Sequence, residues 1–261
     1  MSETAPSIET RPPQTGAGVQ LSVVIPAYNE AARLPVFLDS VLEWCGEHEP
    51  SFEVIVVDDG SSDDTVKLAM QRDVRVISHE RNAGKGAAVR TGMLAARGEL
   101  RLFADADGAT GMVELPALLH ADADIAIGSR EGRDKDVQAS ATRRFLGRWF
   151  NRAVRMGAVK GIRDTQCGFK LFRAPAHGLF EIAQENGFAF DVELLLLAQR
   201  KGLSVAEVFV NWTEMPGSKV SLLRDGIRML KAVRRIKKRW KTGEYENADV
   251  RVTPSLELAK Q

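Results

Sequence analysis

Two cysteines, two tyrosines and four histidines are all that 261 residues contain of these types, and each shortage excludes something. Cys45 and Cys167 have no metal-ligand spacing, so neither a disulfide framework nor a zinc site is available. Both read as buried or incidental thiols of a reducing compartment. No window approaches the ~20 apolar residues that span a bilayer, and the N-terminus lacks a signal-peptide apolar region. The chain is therefore expected to be cytoplasmic. Lys and Arg number 36 against 35 Asp and Glu, a net charge of +1, which removes any whole-chain electrostatic case for nucleic acid. A P-loop is missing, because the Gly-x-x-x-x-Gly-Lys-Ser/Thr spacing does not occur. No Gly-x-Gly-x-x-Gly follows the first apolar run either, against a nicotinamide dinucleotide enzyme.

What is present centres on Leu100-Arg101-Leu102-Phe103-Ala104-Asp105-Ala106-Asp107-Gly108. A short apolar run that ends at a glycine predicts a buried strand, with two carboxylates at its C-terminal end, where open α/β sheets place ligands. Residues two apart in extended chain share a side, so Asp105 and Asp107 can converge on one hard cation that also holds a diphosphate. Read without that cation, the same residues make an ordinary polar turn.

The rest of the chain supplies the frame. Residues 1–18 are rich in Ser, Thr, Pro and Gly and predict a disordered tail. Apolar runs at 21–26, 52–57, 74–78, 100–104 and 125–129 predict strands. Helical spacing covers 31–44, 65–70 and a stretch opening at Asn82-Ala83-Gly84-Lys85-Gly86 and running to Ala96. Strands alternating with helices imply βαβ units and a mostly parallel sheet. The polar loops at the ends of three strands then share one edge and form a nucleotide-sized crevice. Asp58 and Asp59 divide two roles there, ligand contact and helix capping, with Asp58 assigned to the ligand. Gly84-Lys85-Gly86 lets backbone approach a ligand closely and provides one cation for phosphate.

In order, Val23-Val24-Ile25-Pro26-Ala27-Tyr28-Asn29-Glu30, Val56-Val57-Asp58-Asp59-Gly60-Ser61, Asn82-Ala83-Gly84-Lys85-Gly86 and Asp105-Ala106-Asp107 resemble the family-2 glycosyltransferases of GT-A fold. The resemblance implies that Pro26, Tyr28, Glu30, Asp58, Asp59, Asn82, Lys85 and Asp105 hold a nucleotide sugar. It further implies that Asp105 and Asp107 bind Mg²⁺ or Mn²⁺ on its diphosphate. Asp164-Thr165-Gln166-Cys167-Gly168-Phe169-Lys170, Gly187 to Glu193 and Gly217-Ser218-Lys219 resemble the polyprenyl-phosphate branch, and more closely its dolichyl-phosphate β-glucosyltransferases than its mannose synthases. UDP-glucose as donor and a polyprenyl phosphate as acceptor follow from that resemblance. Mannosyl transfer from GDP-mannose and a soluble or polysaccharide acceptor are the alternatives, and a binding module without turnover is a further one. Two departures stand out: Ala109 replaces a Gln of the mannose synthases that could help bind metal, and the N-terminal membrane helix of the glucosyl branch is not seen.

Family matching gives Arg130, Arg144 and Lys219 as the cations for the acceptor phosphate. Arg144 opens a predicted helix, 143–156, in which it equally suits a solvated face. Asp191 falls where other members place a base, and also suits a helix N-cap before Val192. The catalytic set is therefore Asp107, Asp191 and Arg130. Asp164 reads either as an orienter of the acceptor site or as a loop-closing residue. A basic amphipathic helix is expected over 221–242, after a glycosyltransferase domain at 19–220, and a disordered tail over 243–261. Such helices lie on membrane surfaces, so peripheral attachment at the cytoplasmic face is expected, with no nucleic-acid partner.

Overall fold

The structure is a computed structural model that describes residues 8–10, 18–130, 159, 161–215 and 222–245. Eight strands form one sheet: β1 (Ile8–Thr10), β2 (Leu21–Ala27), β3 (Phe52–Asp58), β4 (Arg75–Ser78), β5 (Leu100–Ala104), β6 (Ile125–Ser129), β7 (Phe169–Arg173) and β8 (Val205–Phe209). Their order is β1-β4-β3-β2-β5-β7-β6-β8. β1 and β7 are antiparallel to their neighbours, and the others share one direction.

The strand residues are apolar on both sides because both faces are covered. On one face Val23, Ile25, Val54, Val56 and Leu102 pack with Leu34, Phe37, Leu38 and Val41 of α1 (Leu34–His48). Val66 of α2 (Thr65–Ala69) lies at the edge of this layer. On the other, Val24, Ile55, Val57 and Phe103 pack with Ala88, Val89 and Met93 of α3 (Lys85–Ala95). Alternation along each strand thus assigns successive residues to different helical layers. α4 (Leu115–Leu119) joins the first layer through Leu115 and Leu118. The second layer is completed by α5 (Ala174–His177), α6 (Leu179–Ile182), α7 (Phe190–Arg200) and α8 (Leu222–Lys241).

Strand order reverses at β2, which has β3 on one side and β5 on the other. A crevice at the carboxyl ends of β2 and β5 is the geometric result. β7 runs back from that same edge, with Ala104 opposite Phe169. The loop ahead of β7 is therefore brought beside Asp105.

Several expectations need correction. Inside the 1–18 segment expected to be disordered, Ile8–Thr10 pairs with β4 along its outer edge. The disordered tail expected from 243 starts too early, because Tyr245 is buried with its ring 6.2 Å from that of Trp240. A turn occupies Ala31–Arg33, so α1 begins three residues later than the spacing predicts. β8 and the short helices α4, α5 and α6 were not predicted. The predicted helix over 143–156, with Arg144, and the loop that carries Lys219 lie outside the described residues.

Candidate active site

The crevice is a cleft of about 740 Å³, within the usual size of a small-molecule site. Pro26, Tyr28, Glu30, Asp59, Asn82, Lys85, Asp105 and Asp107 line it. Of the residues expected to bind donor, Asp58 alone is not on its wall. Asp58 is 3% exposed, and the Ser61 N–H donates to its carboxylate at 3.2 Å, so it closes a turn. Asp59 reaches the wall, but Ala83 and Gly84 N–H both donate to its carboxylate at 2.8 Å, and His79 Nδ1 lies 2.8 Å away. Asp59 therefore shapes the Lys85 loop from β3. Where Asp58 was expected to contact the ligand and Asp59 to cap a helix, Asp58 closes a turn and Asp59 holds the Lys85 loop from the cleft wall.

Asn29 adopts φ 53° between Tyr28 and Glu30, and the Ser62 N–H donates to its side-chain oxygen at 2.8 Å. Asn tolerates that left-handed backbone, and the bond pins the first loop to the second. Tyr28 is left 40% exposed at the cleft, a flat surface on which a base can stack. The Glu30 carboxylate is taken by Arg33, at 2.6 and 2.7 Å.

Asp105 and Asp107 follow β5 into the cleft as expected. The Asp105 N–H donates to the Gly168 carbonyl at 2.9 Å, and a Cβ at Gly168 would overlap the Asp105 carboxylate. Lys85 Nζ forms an ion pair with Asp105 Oδ1 at 2.7 Å, and Arg33 Nη1 is 4.0 Å from Asp107 Oδ2. Burial, then repulsion from Asp105, holds the Asp107 carboxyl above the ordinary carboxylate range. Asp105 Oδ1 is buried, and its close partner is the Lys85 ammonium, a cation. Two hard oxygen donors on one wall, one of them already facing a cation, suit Mg²⁺ or Mn²⁺. Among the described residues no group of three or more His, Cys, Asp or Glu could hold a metal, so further ligands must come from diphosphate and water.

Arg130 and Asp191 are not on the cleft wall. Asp164, fully buried, accepts from Arg130 Nε at 2.6 Å and Nη2 at 2.8 Å. Burial opposes the Asp164 charge, yet Arg130 outweighs it and holds the carboxyl below its ordinary value. The guanidinium also lies 5.6 Å from the Trp212 ring centroid. Asp164 is thus an orienter of Arg130. Asp191 does not cap α7; its carboxylate, 3% exposed, holds Lys170 Nζ at 2.5 Å. Burial, only partly offset by Lys170, raises its pKa.

Lys170, Trp212, Arg33, Glu185 and the cleft-lining Lys231 and Arg235 of α8 were missed by sequence reasoning. A lysine inside the apolar run Phe169-Lys170-Leu171-Phe172 was the one signal that could have marked a buried pair. Burial pushes the Cys45 and Cys167 thiols up to about 12 and about 11, so neither is a nucleophile.

The comparisons with known proteins agree with this geometry. Dolichyl-phosphate beta-glucosyltransferase of Mus musculus is 43% identical over 267 aligned positions, which cover 93% of this chain and 81% of the relative. Its namesake in Saccharomyces cerevisiae is 36% identical, covering 87% and 77%. Among solved structures, glucosyl-3-phosphoglycerate synthase from Mycobacterium tuberculosis in complex with Mn²⁺ and UDP-glucose superposes with a TM-score of 0.58 at 23% identity, covering 86% of this chain and 84% of that one. The model of glycosyl transferase family 2 matches residues 22–178, from β2 to α5, the span that carries Asp105, Asp107 and Lys85 of the cleft wall, and the chain belongs to that family.

Proposed function

We propose that the protein moves glucose from UDP-glucose to a polyprenyl phosphate of dolichyl type, with inversion at the anomeric carbon. The observation that carries this is the cleft wall of Asp105, Asp107 and Lys85, in a chain 36–43% identical to enzymes named for that transfer. A divalent ion, Mg²⁺ or Mn²⁺, held by Asp105 and Asp107 would act as a Lewis acid on the leaving diphosphate. Tyr28 offers its ring to the base, and Lys85 its ammonium to the diphosphate.

An acceptor phosphate oxygen forms the new bond to C1 while the bond from C1 to the diphosphate breaks, and UDP departs. The phosphate is ionised near neutral pH, so no strong base is required. This agrees with an Asp191 already committed to Lys170, which makes Asp191 a positioning residue. Arg130, fixed by Asp164, is the described cation assigned to the acceptor phosphate, with Arg144 and Lys219 as its proposed partners.

α8 supplies the membrane-facing surface. Arg234, Lys237, Lys238 and Lys241 are exposed on it, and each such cation near an anionic leaflet contributes about 1 kcal/mol of attraction. Among the described residues no helix is long and apolar enough to cross a membrane. The test of the reading is whether the purified chain, given Mn²⁺ and a short polyprenyl phosphate, moves label from UDP-glucose into organic solvent. Loss of that label in a folded Asp107→Ala variant is the expected control.

A further inference from the structure

Lys85 occupies the carboxylate that a metal ion would need. Its Nζ lies 2.7 Å from Asp105 Oδ1 and 5.4 Å from the centroid of the Phe103 ring beneath. The carboxylate is fixed from behind by the bond from its N–H to the Gly168 carbonyl and by the bare Cα of Gly168. The Lys85 backbone is fixed as well. Gly86 N–H donates to the Asn186 carbonyl at 2.7 Å, and Asp59 holds the N–H groups of Ala83 and Gly84. Gly84, at φ 105°, has no room for a Cβ against the Asn186 carbonyl. Between these two anchored backbones runs a four-carbon stem, able to swing its ammonium by several ångströms.

We propose that Lys85 is a stand-in cation: it neutralises Asp105 while the cleft is empty and passes to the diphosphate when a divalent ion takes the carboxylate. The inference rests on the assignment of Asp105 and Asp107 as metal ligands. Metal arriving alone must displace the ammonium, which then has no anion to move to. Diphosphate arriving alone finds Lys85 engaged and Asp107 repelling it. Together each relieves the other, so metal and nucleotide binding are coupled, and reciprocally. Arg33, 4.0 Å from Asp107 and held by Glu30, adds a second positive charge that the incoming ion must meet.

The test is a titration of Mn²⁺ followed by the electron paramagnetic resonance signal of the free ion, for native protein and Lys85→Met, each with and without UDP. Native protein should bind Mn²⁺ weakly alone and at least roughly tenfold more tightly with UDP, within the usual span of coupling between sites. Lys85→Met should bind Mn²⁺ alone about five- to tenfold more tightly than native, and gain far less from UDP. Lys85→Arg, which keeps the charge, should behave as native, and Lys85→Gln replaces the Met variant should that one fail to fold. A folded Lys85→Met that binds Mn²⁺ alone no more tightly than native protein overturns the proposal. Mn²⁺ binding with UDP that survives Asp107→Ala removes the metal assignment and the proposal together. No lipid enters the titration, so an error in the acceptor leaves its result untouched.

Discussion

The Tyr245 hydroxyl donates to Glu193 Oε1 at 2.6 Å, tying the chain beyond α8 to a fully buried carboxylate of α7. Glu193 also accepts from the N–H groups of Gln184 and Glu185, at 2.9 and 2.7 Å. Glu185 in turn accepts from Arg235 and Arg239. The segment that receives α8 is thus the one whose next residue, Asn186, holds the Lys85 loop. Tyr245→Phe leaves Glu193 short of a donor, and should lower unfolding free energy by about 1–3 kcal/mol. Urea denaturation of both proteins measures it; an unchanged midpoint would show that Glu193 finds another partner at no cost.

This contact also shows where sequence reasoning stopped. Strands β2 to β6 were legible because their apolar runs are continuous and end beside Asp, Gly or Pro, whereas parallel β8 was not; Asp105 and Asp107 were placed by the end of the β5 run together with the two-residue period. Tyr245 was not, because it stands in a polar stretch with no periodic neighbours, and only α7 and α8 together bury it. β7 reads like any other apolar run, so its reversed direction is set by a chain that re-enters from the cleft edge. Asp58 was given the ligand because spacing cannot tell which of two adjacent carboxylates will be consumed by backbone N–H groups. Arg130 and Asp164 were named separately, and their pairing appeared once strand β6 and the loop before β7 met.

Gly168→Ala should lower turnover about 10²-fold with little change of fold. A Cβ at this position overlaps the Asp105 carboxylate, and displacement of a positioned group by about 1 Å can lower rate about 10²-fold. Steady-state rates together with near-UV circular dichroism check this, and a variant with native rates would show that Asp105 needs no such backing.

Lys170 and Asp191 should behave as a pair. Removing either alone leaves a buried charge without its partner, a loss of about 3–5 kcal/mol, whereas Lys170→Met combined with Asp191→Leu should cost clearly less than the two single changes summed. Denaturation of the four proteins completes the cycle. Additive effects would mean that the ammonium and carboxylate do not depend on each other.

His177 sets one acid limit on stability. Burial first, and then the charge of Arg101, lowers its pKa to about 4 from an ordinary 6.5. A base whose pKa is lower folded than unfolded favours the folded state when neutral, so this contribution is complete above pH 6.5 and lost as pH falls toward 4. Solvent screening at this half-buried ring reduces the loss to on the order of 1–2 kcal/mol. His177→Gln should flatten that part of a plot of Tm against pH, and a variant with the native slope would assign the acid loss to other groups.

The most direct measurement counts organic-extractable label after the protein is incubated with Mn²⁺, a short polyprenyl phosphate and radiolabelled UDP-glucose, GDP-mannose and other nucleotide sugars in turn. Label from UDP-glucose, absent with Asp107→Ala, is the expected result. Label from GDP-mannose alone, or UDP released only in proportion to a water-soluble acceptor, would contradict the assigned transfer while leaving the metal-binding wall of the cleft in place.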